Sequence, residues 1–138
     1  MERLMEPTGT GRILLVVEDN VEVSSLFSAV LAIEGYTVIE ARNGVKALEL
    51  MEQHSVDVIL TDLKMPVMDG LEFGQKVKAD ERFVHIPIVL LSATPMTNSG
   101  EALQTFSALL TKPCPLEEVI LTVNRVQQAD AERVVIIG

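Results

Sequence analysis

The chain predicts a doubly wound α/β domain, five strand–helix units around one parallel sheet. Three observations carry this. Ile13-Leu14-Leu15-Val16-Val17 and Val58-Ile59-Leu60-Thr61 are unbroken apolar runs without polar alternation, the pattern of strands buried on both faces. Between such runs lie segments with apolar residues at helical spacing. Gly, Pro and Asn separate the two at short intervals.

Each element has its own signal. Ile13–Val17 is the first strand and ends in Glu18-Asp19-Asn20. Asn20 can cap a helix over 21–34, with Val23, Leu26, Phe27, Val30 and Leu31 on one face and Gly35 as its stop. Tyr36 to Glu40 is a shorter second strand. Asn43-Gly44 opens a second helix in which Ala47, Leu48 and Met51 line up. The third strand ends at Asp62, a loop covers Met65 to Gly70, and a helix runs to Ala79. Ile86 to Leu91 is the fourth strand, with Pro87 near its start, where a missing donor is tolerated. A helix follows over 98–107, then a fifth strand over 108–111. Pro115 opens a last helix to about Gln128. Residues 1–11 read as a loose leader, 12–128 as the domain and 129–138 as a tail. The tail's apolar Val134-Val135-Ile136-Ile137 suits a stray end, the start of a further domain or a docking strand.

Composition narrows the function. The 138 residues suit one domain, and 48% hydrophobic content is ample for a core. A net charge of -9 disfavours direct nucleic-acid binding, which needs a basic face. Cys114, the single cysteine, excludes an intramolecular disulfide and fits a reducing cytoplasm. No apolar stretch approaches the ~20 residues of a membrane span, and the N-terminus has no signal-peptide pattern.

The carboxylates carry the chemistry. Asp62 closes a buried strand, yet carboxylates are rarely buried unless paired or bound to metal. In a sheet of order 2-1-3-4-5, the flavodoxin-like order, strands one and three are neighbours, and ligands bind where they part. Glu18 and Asp19 would then share one edge with Asp62. Mutual repulsion would raise their pKa values, and a hard cation such as Mg²⁺ removes that penalty. Ser92 ends strand four and Lys112 ends strand five, at the same edge. Acids, a hydroxyl and a lysine around a metal suit a transferring phosphoryl group, with a carboxylate as nucleophile.

The chain resembles the receiver domain of two-component response regulators over about residues 12–128. The likeness rests on Val17-Glu18-Asp19-Asn20, Thr61-Asp62-Leu63-Lys64-Met65-Pro66-Val67-Met68-Asp69-Gly70, Leu91-Ser92-Ala93 and Thr111-Lys112-Pro113, in that order and each at a strand end. The resemblance implies that Asp62 accepts a phosphoryl group from a phosphohistidine. It implies Mg²⁺ ligation by Asp19, Asp62 and the Lys64 carbonyl, with Glu18 on a metal-bound water. Ser92 would bond the phosphoryl oxygen, and Lys112 would contact Asp62 and the phosphoryl group. Lys112-Pro113 would be cis. The implied partners are a sensor histidine kinase or phosphotransfer protein and a downstream effector protein, with a second copy as a further candidate. They would meet the face of the fourth helix, fifth strand and fifth helix. Such a module catalyses only its own phosphorylation and dephosphorylation.

Some positions depart from the family pattern. Leu109 stands where an aromatic switch residue is usual, three before Lys112, and Phe106 lies one helical turn earlier. The glycine common before strand five is missing from Thr105-Phe106-Ser107-Ala108. Lys64 and Thr94, two residues after Asp62 and Ser92, face the mouth of the site. Two other readings stand beside this one. One is a pseudo-receiver that binds proteins without phosphorylation. The other is an aspartate-nucleophile phosphohydrolase, which usually needs a second aspartate where Lys64 stands. His54 and His85 read as surface histidines, Cys114 as a packed side chain, and Met51, Met65, Met68 and Met96 as core and loop filler.

Overall fold

The computed structural model describes residues 11–95 and 100–137, with side chains as far as Gln128. The expected leader therefore lies outside the described residues except for Gly11. Five strands alternate with five helices: β1 (Ile13–Val17), α1 (Val21–Ile33), β2 (Thr37–Ala41), α2 (Gly44–Gln53), β3 (Val58–Asp62), α3 (Gly70–Ala79), β4 (Ile88–Ser92), α4 (Gly100–Thr105), β5 (Ala108–Thr111) and α5 (Leu116–Ile137). The strands form one sheet in the order β2-β1-β3-β4-β5, and every pairing is parallel.

Capping fixes where three helices start. The side-chain oxygens of Asn20, Asn43 and Asp69 accept from the amides of Val23, Lys46 and Glu72 at 3.0, 2.9 and 2.8 Å. Each such cap satisfies an otherwise orphaned helix donor and contributes about 1 kcal/mol.

Alternate strand residues feed two apolar layers. Leu15, Val17, Ile59 and Leu90 point to the α2–α3–α4 side, around the fully buried Phe73. Leu14, Val16, Leu60 and Leu91 point to the α1–α5 side, against Phe27, Leu31 and Val123. Both sheet faces are covered, which is why these strands show no polar alternation.

The structure corrects several boundaries. On α1, Leu26 is 49% exposed, while Ser24, Phe27 and Leu31 are buried; the buried stripe is narrower than the apolar pattern suggests. β2 starts at Thr37, one residue later than expected. β4 starts at Ile88, because Pro87 has no amide to pair, although its carbonyl accepts from Ile59 N at 3.0 Å. α4 ends at Thr105 within the described residues, since Ser107 N turns to the Ile88 carbonyl at 2.8 Å and starts the next ladder. α5 does not stop near Gln128 but runs to Ile137. No Gly or Pro interrupts it. A helix satisfies its own backbone, whereas a strand needs a neighbour, so the run 134–137 continues the helix.

At the amino-terminal end of the sheet a polar contact joins the α1–β2 turn to α5. The Tyr36 hydroxyl donates to Asn124 Oδ1 at 2.6 Å, and Asn124 Nδ2 donates to Glu34 Oε1 at 3.4 Å. Burial pushes the Tyr36 phenol from 10.0 up to about 12. The unfolded chain releases this proton near its ordinary value, so folding energy is complete below that pH and falls as pH rises toward 12. In alkaline denaturation, Tyr36→Phe removes a slope of about 1.4 kcal/mol per pH unit at most from this window; an unchanged curve would contradict the assignment.

Candidate functional site

Register brings the acids together. Val17 pairs with Thr61 in the β1–β3 ladder, so Glu18 and Asp19 leave β1 level with Asp62 at the end of β3. One carboxylate oxygen from each of Glu18, Asp19 and Asp62 lies within 4.8 Å of the others, the one such acidic group among the described residues. Glu18 is 4% exposed, Asp62 is largely buried, and Asp19 faces solvent.

Among the described residues one cation balances them directly. Lys112 Nζ lies 2.9 Å from Asp62 Oδ1. At an effective dielectric of ~20, unit charges ~3–5 Å apart interact by about 3–6 kcal/mol, so one attraction does not cancel three repulsions. Solvent around Asp19 softens the imbalance without removing it. Glu18 registers it: burial pushes its carboxyl above the ordinary range, and the nearby Asp62 charge adds to this. The Asn20 amide, donating to Glu18 Oε2 at 3.0 Å, and the Lys112 charge act in the opposite direction. Clustered hard oxygen donors with surplus negative charge fit a small divalent cation such as Mg²⁺.

The remaining expected side chains surround this group. Asp62, Lys64, Ser92, Ala93, Thr94 and Lys112 line one cavity of about 100 Å³. The β4–β5 ladder continues past the strand ends, with Lys112 N donating to the Ser92 carbonyl at 2.8 Å. That bond sets the lysine and the serine side by side. Ser92 Oγ donates to the Thr94 carbonyl at 2.7 Å and accepts from Thr94 N at 3.0 Å. Its hydroxyl is held by its own loop. The Lys112-Pro113 peptide is cis.

The chain matches the family model of the response regulator receiver domain over residues 14–124. It belongs to that family. It is 33% identical over 113 residues to the polar-differentiation response regulator DivK of Brucella anthropi, covering 80% of this chain and 92% of DivK. Among solved structures it is similar to the chemotaxis response regulator CheY4 of Vibrio cholerae, with a TM-score of 0.78, 31% identity and coverage of 85% of this chain and 99% of that one. It is also similar to the response regulator TrrA of Thermotoga maritima, solved in complex with Mg²⁺-BeF, with a TM-score of 0.74 and 25% identity over 83% of this chain and 97% of that one.

Within this receiver, the position of the usual switch aromatic is occupied by Leu109, which is half-buried against the α2–α3–α4 layer. Phe106 is buried in the same layer and lies against α3 at Gly74, where a Cβ would come within 2.9 Å of its ring. The aromatic bulk therefore sits against α3, just after α4, rather than on β5. His54 and His85 are exposed, as expected, but both line a cavity of about 390 Å³ at the opposite end of the sheet. Burial raises the Cys114 thiol, with Glu118 adding to the shift, in line with a packed, unactivated side chain. Met51 and Met68 are core residues, Met65 packs on the core, and Met96 lies outside the described residues.

The loop after Asp62 holds a strained position that sequence reading missed. Met68 N donates to the Pro66 carbonyl at 2.8 Å across Val67, whose φ is 73°. This is a γ-turn of the strained hand, and a β-branched residue is a genuine outlier there. Gly70 is required for a different reason: a Cβ would collide with the Asp62 carbonyl oxygen. Val67 is 77% exposed and buries little in return. Val67→Asn therefore raises stability by about 1 kcal/mol, seen as a melting temperature a few degrees higher; a lower one would show that the valine makes a contact worth more than the strain.

Proposed function

We propose that this receiver takes a phosphoryl group from a phosphohistidine of a sensor kinase or phosphotransfer protein onto Asp62, in a Mg²⁺-dependent reaction, and thereby alters a protein-binding surface. The observation that carries the reading is the 2.9 Å contact of Lys112 with Asp62 inside a group of three carboxylates. An Asp62 oxygen attacks the phosphorus in line, the P–N bond to the donor imidazole breaks, and its electron pair stays on the ring nitrogen. Lys112 then meets the charge on the new acyl phosphate. Ser92 exchanges its Thr94 carbonyl bond for one to a phosphoryl oxygen. Asp19, Asp62 and the Lys64 carbonyl would hold Mg²⁺, with Glu18 on a bound water. When bound, the ion neutralises the carboxylates and the phosphoryl oxygens.

The chain catalyses only its own phosphorylation and dephosphorylation, and its setting is the cytoplasm. No helix among the described residues is long and apolar enough to cross a membrane. Leu103 on α4 and Leu121 on α5, each 59% exposed, offer apolar contact on the α4–β5–α5 face to an effector or second copy.

With Mg²⁺ and acetyl phosphate, intact mass shows one phosphoryl adduct on the wild type and none on Asp62→Asn. An adduct that persists in Asp62→Asn sinks the assignment, and turnover of unrelated phosphate esters would point to a hydrolase. Lys64 borders the same cavity and can crowd or reorient the water that attacks the acyl phosphate. Lys64→Asn accordingly shifts the half-life of the phosphorylated form by about tenfold, or ~1.4 kcal/mol in barrier; an equal half-life would remove Lys64 from this role.

A further inference from the structure

The backbone that presents Glu18 and Asp19 is braced from outside the acidic group. Arg42 Nη1 donates to the Glu18 carbonyl at 3.3 Å, and Arg42 Nη2 donates to Glu40 Oε1 at 3.3 Å. Glu40 Oε1 in turn accepts from Ser24 Oγ at 2.6 Å, and Ser24 on α1 is fully buried. Ser24 N returns to the Asn20 carbonyl at 2.9 Å, which closes a ring through β2, α1 and the β1–α1 loop. The backbone on either side of Arg42 is pinned too. Ala41 O accepts from Glu18 N at 2.9 Å, and Asn43 caps α2. The planar fork of the arginine donates to a carbonyl and a carboxylate at once from this fixed base.

We propose that Arg42 is a positioning residue for Mg²⁺: bonded to the Glu18 carbonyl and held by Glu40 and Ser24, it sets the backbone that carries the ligand Asp19 and the water-holding Glu18. This rests on the Mg²⁺-dependent reading above. The guanidinium contacts a backbone oxygen and no carboxylate of the cluster.

Sign separates positioning from charge. A nearby cation repels Mg²⁺, so if Arg42 acted by charge, removing it would tighten binding. If Arg42 positions the loop, removing it loosens binding. Calorimetric Mg²⁺ titrations of the whole chain at fixed pH and ionic strength decide between them. Arg42→Ala is expected to bind about fivefold more weakly, the scale of one lost hydrogen bond. Arg42→Lys, which keeps the charge and loses the fork, is expected to bind as weakly as Arg42→Ala. Lys46→Ala, which removes an exposed cation nearby in sequence, is expected to match the wild type. Arg42 is 41% exposed, so both variants are expected to keep the wild-type circular dichroism spectrum without Mg²⁺. Unchanged or tighter binding by Arg42→Ala, or full recovery in Arg42→Lys, overturns the proposal while leaving the function standing. A wild-type chain that binds no Mg²⁺ overturns both.

Discussion

The pairing of β1 with β3 is the constraint on which the site depends. Both strands are buried on two faces, and their register leaves no freedom to slide without turning apolar residues to the wrong layer. Val17 opposite Thr61 sets the two strand ends level, and three carboxylates then meet whatever their charges prefer. The fold thus holds together a cluster that electrostatics alone would disperse. The surroundings answer this strain: Lys112 at Asp62, the Asn20 amide at Glu18, and the Arg42 brace behind the loop.

Rigid and adjustable parts divide cleanly around that register. The sheet positions the carboxylates and the lysine through ladders that persist past the strand ends. The loops hold side chains whose bonds are local and exchangeable. Among the described residues the Ser92 hydroxyl bonds to Thr94 just beyond β4, a local pair of bonds that can be exchanged. The loop after Asp62 combines a glycine that the Asp62 carbonyl demands with a valine in a costly conformation. Phe106 packs against α3, and Leu109 takes the place of the usual aromatic on β5.

Strand–helix order, strand ends and the acidic, hydroxyl and lysine positions were all legible, because buried parallel strands announce themselves as unbroken apolar runs and their ends as abrupt polarity. Capping by Asn20 was legible for a similar local reason. The misses have equally physical causes. Leu26 matched the helical pattern of α1, but the sheet covers a narrower stripe, so it stays exposed. For Val134 to Ile137 a docking strand was one of three readings, yet a helix already under way needs no partner. Val67 looked like a loop valine, and no residue pattern reports the sign of its φ. Arg42, Glu40 and Ser24 carry no motif, since their bonds join different elements.

The sequence by itself determined the fold class, the strands, and which side chains could do chemistry at their ends, and it showed the family likeness. These properties depend on local periodicity and on residue type, and both are written along the chain. Only the tertiary structure decided which oxygens share one site, how the charge is balanced, which loop is strained and what braces it. Those depend on distances between residues far apart in sequence: 44 positions separate Ile13 from Asp57, which are bonded, and 24 separate Arg42 from the Glu18 carbonyl it holds. Such distances exist only once the sheet has set its register.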